Sequence, residues 1–231
     1  MLTKIQYTPF VNPLKKLYEE CDLESNFAAD NLYLEKAFEG FTSIWLHNLN
    51  QIKYINYLII AEAPLWGDEN KYFYNPKSQD SQFFYKSDLE YAIEKRIAIS
   101  DKFKLIEECN KLGILIIDIS PYALNTINTS INYSKNAENS LKIKNKQYQK
   151  LIKSTIEFFF EKKLYAIREK FTNKTKVYFR YAGVKKNFEA DVLPLLKKFG
   201  LIQNQKDIEH ISIKGGGLDK GKLKTVIEQA P

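Results

Sequence analysis

Apolar residues along this chain form short unbroken runs that are separated by longer stretches with helical spacing. Residues 57–60 and 114–117 are two runs of four consecutive apolar residues, which is typical of strands buried on both faces of a parallel sheet. Two further strands are predicted at 176–182 and 207–213. Because these four segments alternate with helical segments, the pattern predicts an α/β domain with a central, mostly parallel four-stranded sheet.

The remaining segments are predicted from the spacing of their apolar side chains and from their turn residues. Residues 1–50 carry aromatic anchors at helical spacing and are expected to form a helical lead-in packed on the domain. Residues 122–145, rich in Asn, Ser and Thr, are expected to form an exposed loop. Further helices are predicted at 87–97, 100–111, 146–170, 187–198 and 218–229. We therefore expect one domain over residues 1–231.

Composition narrows the classes of partner and cofactor. The net charge of +7 would favour nucleic acid or an anionic surface, although a basic protein without such a partner is an equally good interpretation. Two distant cysteines, Cys21 and Cys109, are too few for a zinc site or an iron–sulfur cluster, so we expect neither metal nor cofactor. The N-terminus lacks a signal-peptide core, and the run 57–63 is too short to span a bilayer. We expect a cytoplasmic protein without membrane contact.

Candidate chemistry lies where the predicted strands end, because parallel sheets bind ligands beyond the carboxyl ends of their strands. The chain has no phosphate-binding loop, nucleophile elbow or HExxH motif. Glu62, Asp118 and His210 follow three of the strands, and carboxylates with a histidine can run hydrolysis without a metal. Each also has a structural alternative: an ion pair for Glu62, a turn cap for Asp118, and simple surface exposure for His210.

The end of the first strand carries the most specific motif. The segment Glu62-Ala63-Pro64, followed by a loop with Tyr72-Phe73-Tyr74, resembles the first motif of the uracil-DNA glycosylase superfamily. The resemblance implies that Glu62 positions or activates water, that Pro64 shapes the base pocket, and that Phe73, with Tyr72 beside it, stacks on the extruded base. Ala61 and Leu65 stand where the family motif usually has glycine.

The second strand resembles the family strand that ends in an asparagine reading the base edge, but here the position is Asp118. A carboxylate can only accept hydrogen bonds, whereas an amide can also donate. Asp118 would repel the O4 atom of uracil and accept from the exocyclic amine of cytosine. The difference favours a cytosine-like or modified base, unless Asp118 is protonated or the alignment is shifted.

The last strand resembles the family's His-Pro-Ser motif, with the proline missing. The resemblance implies that His210 stabilises the departing base and that the following segment contacts DNA. Lys214, Gly215 and Gly216 would approach phosphates, and Leu218 could enter the base stack or be a core residue at a helix start. Lys220 and Lys222 would contact phosphates or simply be solvated.

Together these features predict a three-layer α/β/α sandwich like that of the uracil-DNA glycosylases. The expected activity is metal-independent removal of uracil or a cytosine-like base from single- or double-stranded DNA by a monomer, in repair or in defence against phage. Two alternatives stay open: a non-catalytic nucleic-acid-binding relative, and a hydrolase of small nucleosides.

Overall fold

The N-terminal part of the chain is helical. The computed structural model of the protein describes residues 5–67, 71–78, 101–202, 208–211 and 221. A short 3-10 turn, Thr8–Phe10, leads into α1, Val11–Glu19, and then into the long helix α2, Glu24–Gln51. Both helices bury apolar side chains at helical spacing, among them Leu17 and Trp45. Helices are therefore present where the sequence predicted a helical lead-in.

A four-stranded parallel sheet lies at the centre of the fold. Its strands are β1, Ile55–Ala61; β2, Ile114–Asp118; β5, Phe171–Phe179; and β6, Glu209–His210. Their order is β2-β1-β5-β6, and each of the three pairs is parallel. The residues of β1 and β2 are almost all buried, as their unbroken apolar runs predicted. The predicted α/β class with a mostly parallel four-stranded sheet is confirmed.

Helix α3, Lys102–Lys111, leads directly into β2. The Asp101 side chain caps its first turn by accepting a hydrogen bond from the backbone N–H of Lys104 at 2.8 Å. Gly113 then turns the chain with φ +70°. A Cβ atom at this glycine would lie 2.5 Å from the carbonyl oxygen of Tyr54, so only glycine fits between α3 and the sheet.

The predicted helix at 146–170 is wrong, because the chain breaks it into two. The observed helices are α4, Asn145–Lys153, and α5, Phe160–Ile167, with a 3-10 turn at Arg168–Lys170. At the break, the Ser154 hydroxyl donates to the Leu151 carbonyl, and the Thr155 hydroxyl donates to the Ile152 carbonyl. Adjacent hydroxyls that bind helical carbonyls in this way favour a break. The two helices can then take different directions.

The prediction of an exposed loop at 122–145 is right only in part, because residues 134–139 are exposed but others in the segment are buried. This segment contains two short parallel strands, β3, Ile131–Asn132, and β4, Leu141–Lys142. Tyr122 and Ile131 are fully buried. Asparagine side chains make burial possible by pairing with the loop's own backbone: Asn125 accepts from the N–H groups of residues 127 and 128, and Asn132 from those of 134 and 135.

The third sheet strand, β5, ends earlier than the sequence predicted. Strand pairing stops at Phe179, and helix α6 occupies Ala182–Lys198. The predicted end of this strand at Ala182 is therefore wrong, and the residues that follow the strand are Arg180 and Tyr181. Among the described residues, no helix has both the length and the apolar character needed to cross a bilayer.

Candidate functional site

A cavity of about 270 Å³ opens at the carboxyl ends of the central strands. Five of the residues singled out in the sequence line it together: Glu62, Pro64, Tyr72, Phe73 and Asp118. The volume lies just below the range of about 300–1,000 Å³ that is usual for drug-sized ligands. A single small ring system therefore fits this cavity better than an extended molecule does.

The segment after β1 forms one wall of the cavity. Hydrogen bonds continue the β1–β2 ladder beyond the strand ends, since the Ile119 N–H donates to the Ala61 carbonyl at 3.0 Å and the Ser120 N–H to the Glu62 carbonyl at 2.9 Å. These bonds fix the backbone of Glu62. Burial raises the pKa of its carboxyl. A carboxylate made more basic in this way is suited to accepting a proton from water.

Asp118, the last residue of β2, forms the floor of the cavity. It lies in register with Ala61 and is only 5% exposed. Burial raises the pKa of its carboxyl, while the positive charge of Lys163 on α5 opposes that rise. The structure thus contains a counter-charge for Asp118 that the sequence pattern does not indicate.

The loop after β1 supplies the aromatic wall. Tyr74 anchors this loop to the sheet, because its hydroxyl oxygen accepts a hydrogen bond from the backbone N–H of Ile116 at 2.6 Å. Phe73 packs edge-on against Tyr74, with ring centroids 4.9 Å apart. The ammonium group of Lys102 lies 4.6 Å from the centroid of the Phe73 ring. The predicted stacking residue is therefore held in place by an anchored neighbour and a cation.

The hydroxyl of Tyr72 is also placed against the polar floor. It is buried and has no hydrogen-bond partner among the described residues. Burial raises the pKa of this phenol, and the charge of Asp118 raises it further. A buried hydroxyl without a partner is a candidate donor to a ligand, because leaving it unpaired is unfavourable.

Tyr133 lines the opposite part of the cavity and was not singled out from the sequence. Its ring stacks on Tyr148 of α4, with centroids 4.8 Å apart and an angle of 14° between the ring planes. Burial raises the pKa of Tyr133, and the charges of Glu62 and Asp118 raise it further, so the phenol lies near both carboxyls. Tyr133 was not singled out because residues 122–145 were expected to form an exposed loop.

Arg180 and Tyr181 complete the cavity behind β5. The Arg180 N–H donates to the Ile60 carbonyl at 2.7 Å, and its buried guanidinium lies 4.4 Å from the centroid of the Tyr181 ring. Arg180 brings a fixed positive charge to a cavity that contains two carboxyl groups. Neither residue was singled out from the sequence, because both fall inside the predicted strand at 176–182.

His210 lies at the end of β6 but is not among the described residues that line the cavity. It pairs with Phe179, in a row one residue before that of Asp118. Neighbouring rows of a sheet direct side chains to opposite faces, so the register separates His210 from Asp118. The predicted role of His210 stays a prediction.

The remaining candidates lie outside the described residues: Lys214, Gly215, Gly216, Leu218, Lys220 and Lys222. Within the part of the chain that the structure describes, no group of three or more His, Cys, Asp or Glu side chains could hold a metal ion. Compared with known proteins, the chain matches no family model, no curated protein and no solved structure. A functional interpretation therefore depends on the motifs and on the cavity.

Proposed function

We propose that this protein is a DNA glycosylase with the three-layer sandwich fold of the uracil-DNA glycosylases. One observation supports this proposal above the others. Glu62, Pro64, Tyr72, Phe73 and Asp118, which were singled out from two separate motifs, line the same small cavity. A cavity with an aromatic wall and a polar floor has the character needed to bind one extruded base.

The base would stack on Phe73 and present its polar edge to Asp118. An ionised Asp118 accepts a hydrogen bond from an exocyclic amine but repels a carbonyl oxygen. A cytosine-like or modified base is therefore the preferred substrate, and uracil is the alternative if Asp118 is protonated.

The reaction is hydrolysis of the bond between the base and C1′ of the sugar. Glu62 positions a water molecule and accepts its proton, and the water oxygen forms a bond to C1′. The base leaves with the electron pair of the broken bond and is then protonated, which leaves an abasic site. Arg180 contributes positive charge to the cavity. His210, which the sequence predicted to support the departing base, is not among the described residues that line the cavity, and no step is assigned to it.

The proposal is tested with oligonucleotides that each carry one uracil, hypoxanthine, xanthine or modified cytosine. Alkali treatment after incubation cleaves the strand wherever an abasic site has formed. We expect cleavage of at least one strand with the wild type and none above background with Glu62→Gln.

Two other results would contradict the glycosylase proposal and favour a different function. Turnover of free nucleosides, with no cleavage of any strand, would indicate a nucleoside hydrolase. Salt-sensitive DNA binding without cleavage would indicate a non-catalytic relative, because phosphate contacts weaken steeply as salt increases.

A further inference from the structure

Lys163 on α5 is a charged side chain placed entirely inside the protein. It is 0% exposed, and its ammonium group has no hydrogen-bond partner among the described residues. Lysine is almost never buried in this way without a specific partner. A structural helix position would accept leucine or methionine at lower cost, so a function for this amine is the better explanation.

Three aromatic rings surround the ammonium group. Its nitrogen lies 4.4 Å from the ring centroid of Phe159, 4.7 Å from that of Trp45 and 5.8 Å from that of Phe41. Aromatic faces attract a cation and replace part of its lost hydration. The surrounding rings therefore favour the charged form of Lys163 in a site that would otherwise strongly disfavour it.

One of these three aromatic rings, that of Trp45, is hydrogen-bonded to the strand that ends in Asp118. The indole N–H of Trp45 donates a hydrogen bond to the Ile116 carbonyl at 3.0 Å, two residues before Asp118 on β2. Burial lowers the pKa of Lys163 to about 8, and the charge of Asp118 opposes that decrease. The lysine and aspartate charges therefore each favour the ionised form of the other.

We propose that Lys163 is a positioning residue that keeps Asp118 ionised at the floor of the cavity and thereby sets which base the cavity accepts. The proposal rests on the glycosylase function, because it names the substrate class of the same site. Lys163 does not touch the base and acts through Asp118. Glu62 and Arg180 line the same cavity as Asp118, so the Arg180 guanidinium is a second positive charge there. The phenols of Tyr72, Tyr133 and Tyr148 also interact with Asp118 and supply no positive charge near neutral pH.

The consequence for substrate choice is specific. With its charge retained, Asp118 is an acceptor only, and bases with an exocyclic amine at the recognised edge are favoured. Without the lysine charge, the pKa of the buried Asp118 carboxyl would rise further, which favours its protonated form. A protonated carboxyl can donate to a carbonyl oxygen, so uracil-type bases would then be accepted.

The first arm of the test is the titration of the Asp118 carboxyl, followed by carbon-13 NMR of protein labelled at aspartate, with Asp118→Asn to assign the signal. We expect Asp118 to be ionised at pH 7 in the wild type. In Lys163→Met the pKa of Asp118 should rise by about 1 to 3 pH units, the usual effect of removing a nearby opposite charge. A protonated Asp118 in the wild type at pH 7 overturns the proposal. This measurement on the wild type needs only one folded variant, Asp118→Asn, which assigns the signal.

The second arm measures base release by the wild type, Lys163→Met, Asp118→Asn and the double variant. Lys163→Met should reduce the preference for cytosine-type over uracil-type bases by about tenfold or more. The same substitution in the Asp118→Asn background should leave the preference unchanged, because an amide has no charge to be stabilised. An equal change of preference in both backgrounds would mean that Lys163 acts only through packing, and the proposal would be wrong.

The two arms separate failure of this inference from failure of the proposed function. If none of the four proteins releases any base, the glycosylase proposal fails. The titration still decides whether Lys163 controls the charge of Asp118, since it depends only on the folded protein.

Discussion

Two carboxyl groups in one small cavity are unfavourable for folding at the residue scale. Burial raises the pKa of both Glu62 and Asp118, which means that the folded protein disfavours their charged forms. The charge of Lys163 opposes the rise in the pKa of Asp118. For Glu62, burial raises the pKa and no opposing charge among the described residues contributes. An ionised carboxylate kept at a cost in stability is typical of an active site.

Replacing Glu62 by Gln should therefore remove activity and increase stability at neutral and alkaline pH. A carboxyl whose pKa is raised by folding contributes stability below its unfolded pKa and loses that contribution as pH rises through the folded pKa. Glu62→Gln should unfold at a higher temperature than the wild type at pH 8, and the gain should vanish at pH 4. Base release should fall by about 100-fold or more. An unchanged rate of base release by Glu62→Gln would exclude Glu62 as the general base that accepts the proton of water.

Phe73→Leu should weaken recognition of the base while retaining apolar bulk in the loop. Stacking of a base on an aromatic ring contributes about 1–3 kcal/mol, which corresponds to a loss of about 5- to 150-fold in kcat/KM. The matched control is Phe103→Leu, the same change at a ring that is 65% exposed and outside the cavity. Equal activity in the two variants would show that Phe73 does not stack on the substrate.

The position of a site residue in the fold decides whether the sequence could predict it. Glu62 and Asp118 directly follow apolar runs, and a parallel sheet places such residues at one edge. Tyr133 lines the cavity from a segment that had been assigned to an exposed loop. Lys163 affects Asp118 from a segment that had been assigned to the middle of a long helix. Their contribution depends on tertiary packing, for which the sequence carries no local signal.

At the scale of elements, β2 is an edge strand of the described sheet, and side chains bind both backbone groups of its residue Ile116. The N–H of Ile116 donates to the Tyr74 hydroxyl, and its carbonyl accepts from the indole of Trp45. These two bonds attach the aromatic loop and α2 to the same residue of the sheet. Covering an edge in this way prevents unwanted strand pairing and aligns the cavity wall.

Tyr74→Phe should destabilise the protein by about 1–3 kcal/mol, because it leaves the buried N–H of Ile116 without its acceptor. Urea unfolding measures the change in free energy. Tyr54→Phe is the matched control at a ring that is 52% exposed, where we expect a change within about 0.5 kcal/mol. Equal effects of the two substitutions would mean that the loop is not anchored through this bond.

Gly113→Ala should destabilise the protein more than Gly200→Ala does. Both glycines have φ +70°, where alanine costs about 1–2 kcal/mol. A Cβ atom at Gly113 would also lie 2.5 Å from the Tyr54 carbonyl oxygen, whereas nothing lies within 4 Å of one at Gly200. The same unfolding measurement should show an additional loss for Gly113→Ala, of about 1–3 kcal/mol for overpacking. Equal losses of stability in the two variants would mean that the close contact at Gly113 does not restrict this position.

The elements themselves were predicted where hydrophobic pattern alone decides the structure. The runs before Glu62 and Asp118 became β1 and β2 because strands buried on both faces need unbroken apolar residues. The predictions failed where side-chain hydrogen bonds override pattern: Thr155 helps to break a helix, and Asn132 allows a polar loop to be buried. Such local pairing becomes visible only in the structure.

For the whole molecule, the central claim is that one cavity at the end of the sheet binds and releases a single base. The most direct measurement is mass spectrometry of the free bases released from DNA that contains uracil, cytosine and modified cytosines. We expect the wild type to release one class of base, and Glu62→Gln to release none above the level of a blank. Identical spectra for the wild type, Glu62→Gln and the blank would contradict the claim.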